Sequence, residues 1–95
     1  GGGRGRPVMT AYRQDALLCA RLLAQAGPMA PAAVRDATGI ARAAAILSRD
    51  VYGWFERVRR GIYRITPAGE EALATFADAL HALDAANVGN DAPKT

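Results

Sequence analysis

The sequence predicts a mostly helical domain with one small β-hairpin, an α+β fold, and three observations carry that prediction. Capping residues and helical apolar spacing mark three segments before Asp50 and one after Thr66. Between them, Trp54 to Thr66 changes to aromatic and β-branched residues around Arg59-Arg60-Gly61. Gly or Pro stands at each boundary, at Gly27-Pro28, Pro31, Gly39, Gly53 and Pro67.

Thr10 is a helix N-cap, and the first helix runs to about Ala26. Tyr12, Leu18, Cys19, Leu22, Leu23 and Ala26 form its apolar stripe, and Leu17 falls on the polar side, where it contacts either another element or a partner. Gly27-Pro28 ends it. Pro31 opens a second helix to Thr38, and Gly39 breaks it. Ile40, Ala44, Leu47 and Val51 then define the inner face of a third helix from about Ala41 to Asp50. Two short helices joined by a Gly-containing turn make a helix-turn-helix pattern.

Trp54–Val58 and Ile62–Thr66 read as two strands joined by a three-residue loop, with Phe55 opposite Ile65 and Glu56 opposite Arg64. A two-residue turn at Arg60-Gly61 would set Arg57 against Arg64, and like charges across a ladder repel. Thr66 caps the last helix, with Pro67 in its first turn and Glu70 and Glu71 near its positive end. Leu73, Phe76, Ala77, Leu80 and Leu83 mark its buried face, and it frays near Asn87-Val88-Gly89.

Ninety-five residues with 51% hydrophobic and 22% charged content make one small domain. The division expected is a basic arm at 1–9, a folded domain at 10–86 and a disordered tail at 87–95. No stretch reaches the roughly 20 apolar residues of a membrane span. The Gly-rich start does not read as a signal peptide, and a cytoplasmic location without a membrane partner is expected. Single Cys19 and His81 cannot make an internal disulfide or a Cys/His zinc site. Cys19 lies in an apolar stripe and reads as a buried filler. With no metal set, nucleophile pair or phosphate loop, the chain is expected to have no cofactor and not to be an enzyme.

The charge is unevenly placed. Eleven of the twelve basic residues are Arg; residues 1–66 carry all eleven against four acids, and residues 67–95 carry one Lys against five. An Arg and Ala excess also follows from a GC-rich genome, but a basic body with an acidic end suits an anionic partner.

The order of helix 1, helix 2, helix 3, hairpin wing and helix 4 resembles a winged helix-turn-helix domain, most closely at Gly61-Ile62-Tyr63-Arg64-Ile65-Thr66-Pro67-Ala68-Gly69. Together with Arg4-Gly5-Arg6-Pro7, Thr10-Ala11-Tyr12-Arg13 and Tyr52-Gly53-Trp54-Phe55-Glu56-Arg57-Val58, that stretch is similar to the C-terminal region of an uncharacterised bacterial family described as putative PD-(D/E)XK phosphodiesterases. The resemblance implies an excised domain with nuclease-like carboxylates and lysine upstream; no residue here matches the catalytic motif. Arg4-Gly5-Arg6-Pro7 also resembles the core of an AT-hook, in which two Arg side chains follow the floor of a narrow minor groove.

In winged-helix proteins the third helix enters the major groove and the wing touches the backbone. Arg42, Ala45 and Arg49 lie opposite the inner face of helix 3, with Ile46 at its shoulder, and are expected DNA contacts. The alternative for Arg42 and Arg49 is a merely solvated face. Arg59 and Arg60 suit phosphates, and Arg4 and Arg6 a minor groove, while Arg64 is expected to pair with Glu56. Trp54, Phe55 and Tyr63 read as core rather than as stacking surfaces for bases. The expected partner is double-stranded DNA, with a homodimer or an upstream nuclease-like domain as further partners. The other function class is a protein-interaction or dimerisation module, which joint exposure of Leu17, Ile46 and Leu83 would favour.

Overall fold

The computed structural model describes residues 10–90, with side chains as far as residue 85. Among them are five helices and two strands: α1 (Ala11–Ala26), α2 (Pro31–Thr38), α3 (Ala43–Arg49), β1 (Phe55–Arg59), β2 (Ile62–Ile65), α4 (Pro67–Thr75) and α5 (Ala77–Asn90). The fold is a small, mostly helical α+β domain with an antiparallel hairpin. None of the described helices is long and apolar enough to cross a membrane.

The Thr10 hydroxyl accepts the Arg13 N–H at 3.1 Å and starts α1. At the other end the Gly27 N–H donates to the Leu23 carbonyl. The buried side of α1 is Ala16, Leu17, Cys19, Ala20 and Leu23, while Leu18 and Leu22 are half-buried. Leu17 is therefore core rather than part of the polar side, the contact with another element that its position left open. Small residues such as Ala16 and Ala20 let neighbouring elements approach α1 closely, which a count of large apolar residues overlooks.

Helix α2 closes with the Thr38 hydroxyl donating to the Val34 carbonyl at 2.7 Å and accepting the Ile40 N–H at 3.1 Å. The inner face of α3 is Ala43, Ile46 and Leu47; Ala44 is exposed, and Val51 is 63% exposed. The expected face of Ala44, Leu47 and Val51 is thus rotated, and Ile46 is buried rather than at the shoulder. Asp50 ends the helix in the left-handed region (φ 49°, ψ 50°), so Val51 lies beyond it and cannot belong to its periodicity. Aspartate tolerates this conformation better than most side chains. Its Oδ1 accepts the Phe55 N–H at 3.0 Å, clipping the end of α3 to the start of β1.

The hairpin pairs Phe55 with Ile65, Glu56 with Arg64, Arg57 with Tyr63 and Arg59 with Ile62. The expected three-residue loop is replaced by a two-residue turn at Arg60-Gly61, with Gly61 at φ 73°. A bulge at Val58 takes up the odd residue. The expected outer pairs therefore survive, and Arg57 meets Tyr63 instead of Arg64. On the other side of β2, Met29 and Tyr63 exchange N–H donors with each other's carbonyls at 3.0 and 2.9 Å, an isolated bridge that extends the ladder by one residue.

Thr66 joins hairpin and α4: its hydroxyl donates to the Gly53 carbonyl at 2.8 Å and accepts the Gly69 N–H at 3.1 Å. Where one last helix was expected there are two, because the backbone leaves helical geometry at Phe76 (φ −101°, ψ 20°). Helix α5 continues to Asn90, past the expected fraying point.

Candidate nucleic-acid interface

Several arginines of the described surface are held by carboxylates. Arg21 donates to Asp84 at 2.9 Å, linking α1 to α5; Arg35 pairs with its neighbour Asp36 at 3.1 Å; Arg64 pairs with Glu56 at 3.0 Å, as its cross-strand register requires. Arg42 donates to Asp15 at 3.0 Å and lies 5.1 Å from the Tyr12 ring centre. By contrast, Arg49, Arg57, Arg59 and Arg60 are exposed and have no ion-pair partner among the described residues.

Arg42, Ala45 and Arg49 differ in what they can offer. Arg42 is the N-cap residue of α3, and a carboxylate and an aromatic ring hold its guanidinium against α1. Ala45 and Arg49 are exposed on α3 together with Ala44 and Ser48. Small side chains around Arg49 leave the helix backbone open to close approach. Arg59 and Arg60 stand at the hairpin tip. Arg4 and Arg6, with the arm to which they belong, lie outside the described residues.

Tyr12, Tyr52 and Trp54 form an aromatic row. Tyr52 stacks on Trp54 with centroids 4.4 Å apart and meets Tyr12 at 6.1 Å. The Arg13 guanidinium lies 5.3 Å from the Tyr52 ring and 5.5 Å from that of Phe76. Trp54 and Phe55 are 7% and 5% exposed, so both are core side chains with no face open to a base. Tyr63 is half-buried. Sequence reading missed the Asp15–Arg42 pair and the Met29–Tyr63 bridge. The one local signal for the bridge was Pro31, which favours extended backbone at Ala30, the residue after Met29.

Cys19 is fully buried, and loss of solvation, with the Asp15 carboxylate adding to it, raises its pKa to about 11. The thiol is therefore protonated near neutrality and weakly nucleophilic. His81 is exposed beside an open cavity lined mainly by Arg21, Gln25, Leu73, Leu80 and Asp84, with no hydroxyl or thiol in the lining. Among the described residues, no group of three or more His, Cys, Asp or Glu side chains is placed to hold a metal ion.

The family model described as "Putative PD-(D/E)XK phosphodiesterase (DUF2161)" matches residues 1–72. No curated protein and no solved structure matches. The family match corrects the expectation that the chain is not an enzyme, because the family it matches is described by an enzymatic activity. That expectation rested on short local motifs. A family match draws on the pattern of about three quarters of the chain and needs no catalytic motif within view.

Proposed function

Since the chain belongs to the family described as putative PD-(D/E)XK phosphodiesterases, we propose that it serves such an activity by gripping double-stranded DNA as a winged-helix module. Phosphodiesters are the links of a nucleic-acid strand, and every repeat carries a negative charge. The observation that carries the reading is the set of arginines without ion-pair partners among the described residues, Arg49 on α3 and Arg57, Arg59 and Arg60 on the hairpin. Arginines left exposed in this way are available to phosphates, whereas those on α1 and α2 that face Asp84 and Asp36 are already engaged.

The order of elements and the Met29–Tyr63 bridge support a winged-helix arrangement, in which α3 enters the major groove and the hairpin lies on the backbone. Arg49 and Ala45 then meet base edges, Arg59 and Arg60 hold phosphates, and Arg42 fixes the start of α3. The arm adds Arg4 and Arg6 in the adjoining minor groove. Titration of the full chain with A·T-rich and G·C-rich duplexes over a range of salt concentrations tests this. Binding whose logarithm falls linearly with the logarithm of salt concentration is expected. Absence of duplex binding at low salt would exclude the reading. The dimerisation alternative lacks its supporting observation, because Leu17 and Ile46 are 0% and 1% exposed.

A further inference from the structure

The hairpin contains one residue that its ladder leaves without a partner. Arg57 faces Tyr63 and Arg59 faces Ile62, so Val58 is the extra residue of a bulge. Val58 is 42% exposed, and among the described residues only Val51 is another large hydrophobic side chain so open to solvent. An exposed valine beside an unpaired arginine offers an apolar contact to whatever ligand meets this part of the hairpin.

The register shows what the bulge does. Cross-strand partners share a face of the sheet, and faces alternate along each strand. Phe55, Ile65 and Tyr63 mark the inner face; Glu56, Arg64 and Ile62 mark the outer one. Unbroken alternation from Phe55 would place Arg59 on the inner face. The bulge transfers it to the outer face opposite Ile62, and because two residues of a bulge oppose one partner residue, Val58 is set beside it. One face of the hairpin therefore gathers Val58, Ile62, Arg59 and Arg64, with Arg60 at the turn. Arg64 is engaged by Glu56. Arg59 and Arg60 have no ion-pair partner among the described residues.

An apolar spot framed by unpaired cations fits a ligand that alternates apolar and anionic groups. A nucleic-acid strand has that repeat, a furanose ring between successive phosphates. We propose that Val58 packs on a sugar ring of bound duplex DNA while Arg59 and Arg60 hold the phosphates on either side. The bulge is then the device that brings an apolar contact and a phosphate contact to the same face. The proposal rests on the reading of the chain as a DNA-binding module, and it assigns Val58 a part that salt cannot screen.

The test uses the full chain and the fluorescence anisotropy of a labelled duplex at a series of salt concentrations. Packing on a sugar displaces no counterion, so Val58→Ala should weaken binding about three- to tenfold at every salt concentration with an unchanged salt slope. Arg59→Ala with Arg60→Ala should instead lower that slope by up to about 2. Val58→Thr keeps the shape and strand preference of the side chain and guards against misfolding, which thermal melts check; it should weaken binding in the same sense as Val58→Ala. Wild-type affinity in both Val58 variants, with the arginine effect intact, would overturn the sugar contact and leave the DNA reading standing. If the parent chain ignores duplexes but binds phosphatidylglycerol vesicles or an acidic protein through Val58, both fall together.

Discussion

The Arg42 guanidinium donates to the Asp15 carboxylate at 3.0 Å, joining the N-cap of α3 to the middle of the first turns of α1. The same guanidinium lies 5.1 Å from the Tyr12 ring centre. Asp15 thus fixes the start of α3 and also competes with any phosphate for Arg42.

Replacing Asp15 separates those two effects. A partly exposed pair of this kind contributes only about 0.2–1 kcal/mol, so Asp15→Asn should lower stability slightly. Its affinity for duplex DNA should rise, because one negative charge leaves the surface and Arg42 becomes available to phosphate. Weaker binding by a variant that melts like the parent would mean that Asp15 orients Arg42 rather than competing for it.

Gly69 tests how the hairpin meets α4. A Cβ at this position would lie 2.6 Å from Ile65 Cγ1 and 2.7 Å from the Trp54 carbonyl oxygen. Alanine ordinarily favours a helix over glycine by about 1 kcal/mol. Here the carbonyl is backbone and cannot turn aside, so Gly69→Ala should be destabilising by about 1–3 kcal/mol despite that preference. Chemical denaturation measures it, and a stabilised variant would mean that the hairpin and α4 are not packed this closely.

Cys19 sets a pH dependence on the alkaline side. Its pKa is raised from 9.0 to about 11 in the fold, so the folded chain keeps the proton longer than the unfolded one. The stabilisation is complete below about pH 9 and is lost as the pH rises towards about 11. The parent should lose roughly 2 kcal/mol more than Cys19→Ala across that range. Denaturation curves at both ends measure the difference, and parallel declines in the two proteins would show that burial of the thiol does not set it.

The basic arm is tested by selectivity, through deletion of residues 1–7. If Arg4 and Arg6 follow a minor-groove floor, deleting the arm should weaken binding to A·T-rich duplexes far more than to G·C-rich ones, where the guanine amino group obstructs the groove. Gly5→Ala retains both charges and should reproduce most of that loss. Equal losses on both duplexes, with Gly5→Ala unaffected, would make the arm two phosphate counter-charges.

The sequence was most legible where chemistry is local. Thr10 and Thr66 declare themselves as caps, and Phe55–Ile65 and Glu56–Arg64 follow from alternation and charge. It was least legible where one residue shifts a whole frame. Asp50 leaves the helix before Val51, so counting Val51 as helical turned the inner face of α3 away from Ala43 and Ile46. Phe76 interrupts a run with no glycine or proline to announce it. At the candidate interface, the exposed arginines were visible as a cluster, but their availability was not. Only long-range geometry separates Arg42, held by Asp15, from Arg49, Arg59 and Arg60.

Whether duplex DNA meets the chain at α3 and the hairpin can be read residue by residue from backbone amide chemical shifts as a short duplex is added to the full chain. The largest changes should fall on Arg42 to Arg49 and on Arg57 to Ile62, with α4 and α5 little affected. Changes concentrated on α4 and α5, or none at a duplex concentration that saturates an independent binding assay, would contradict this placement of the DNA.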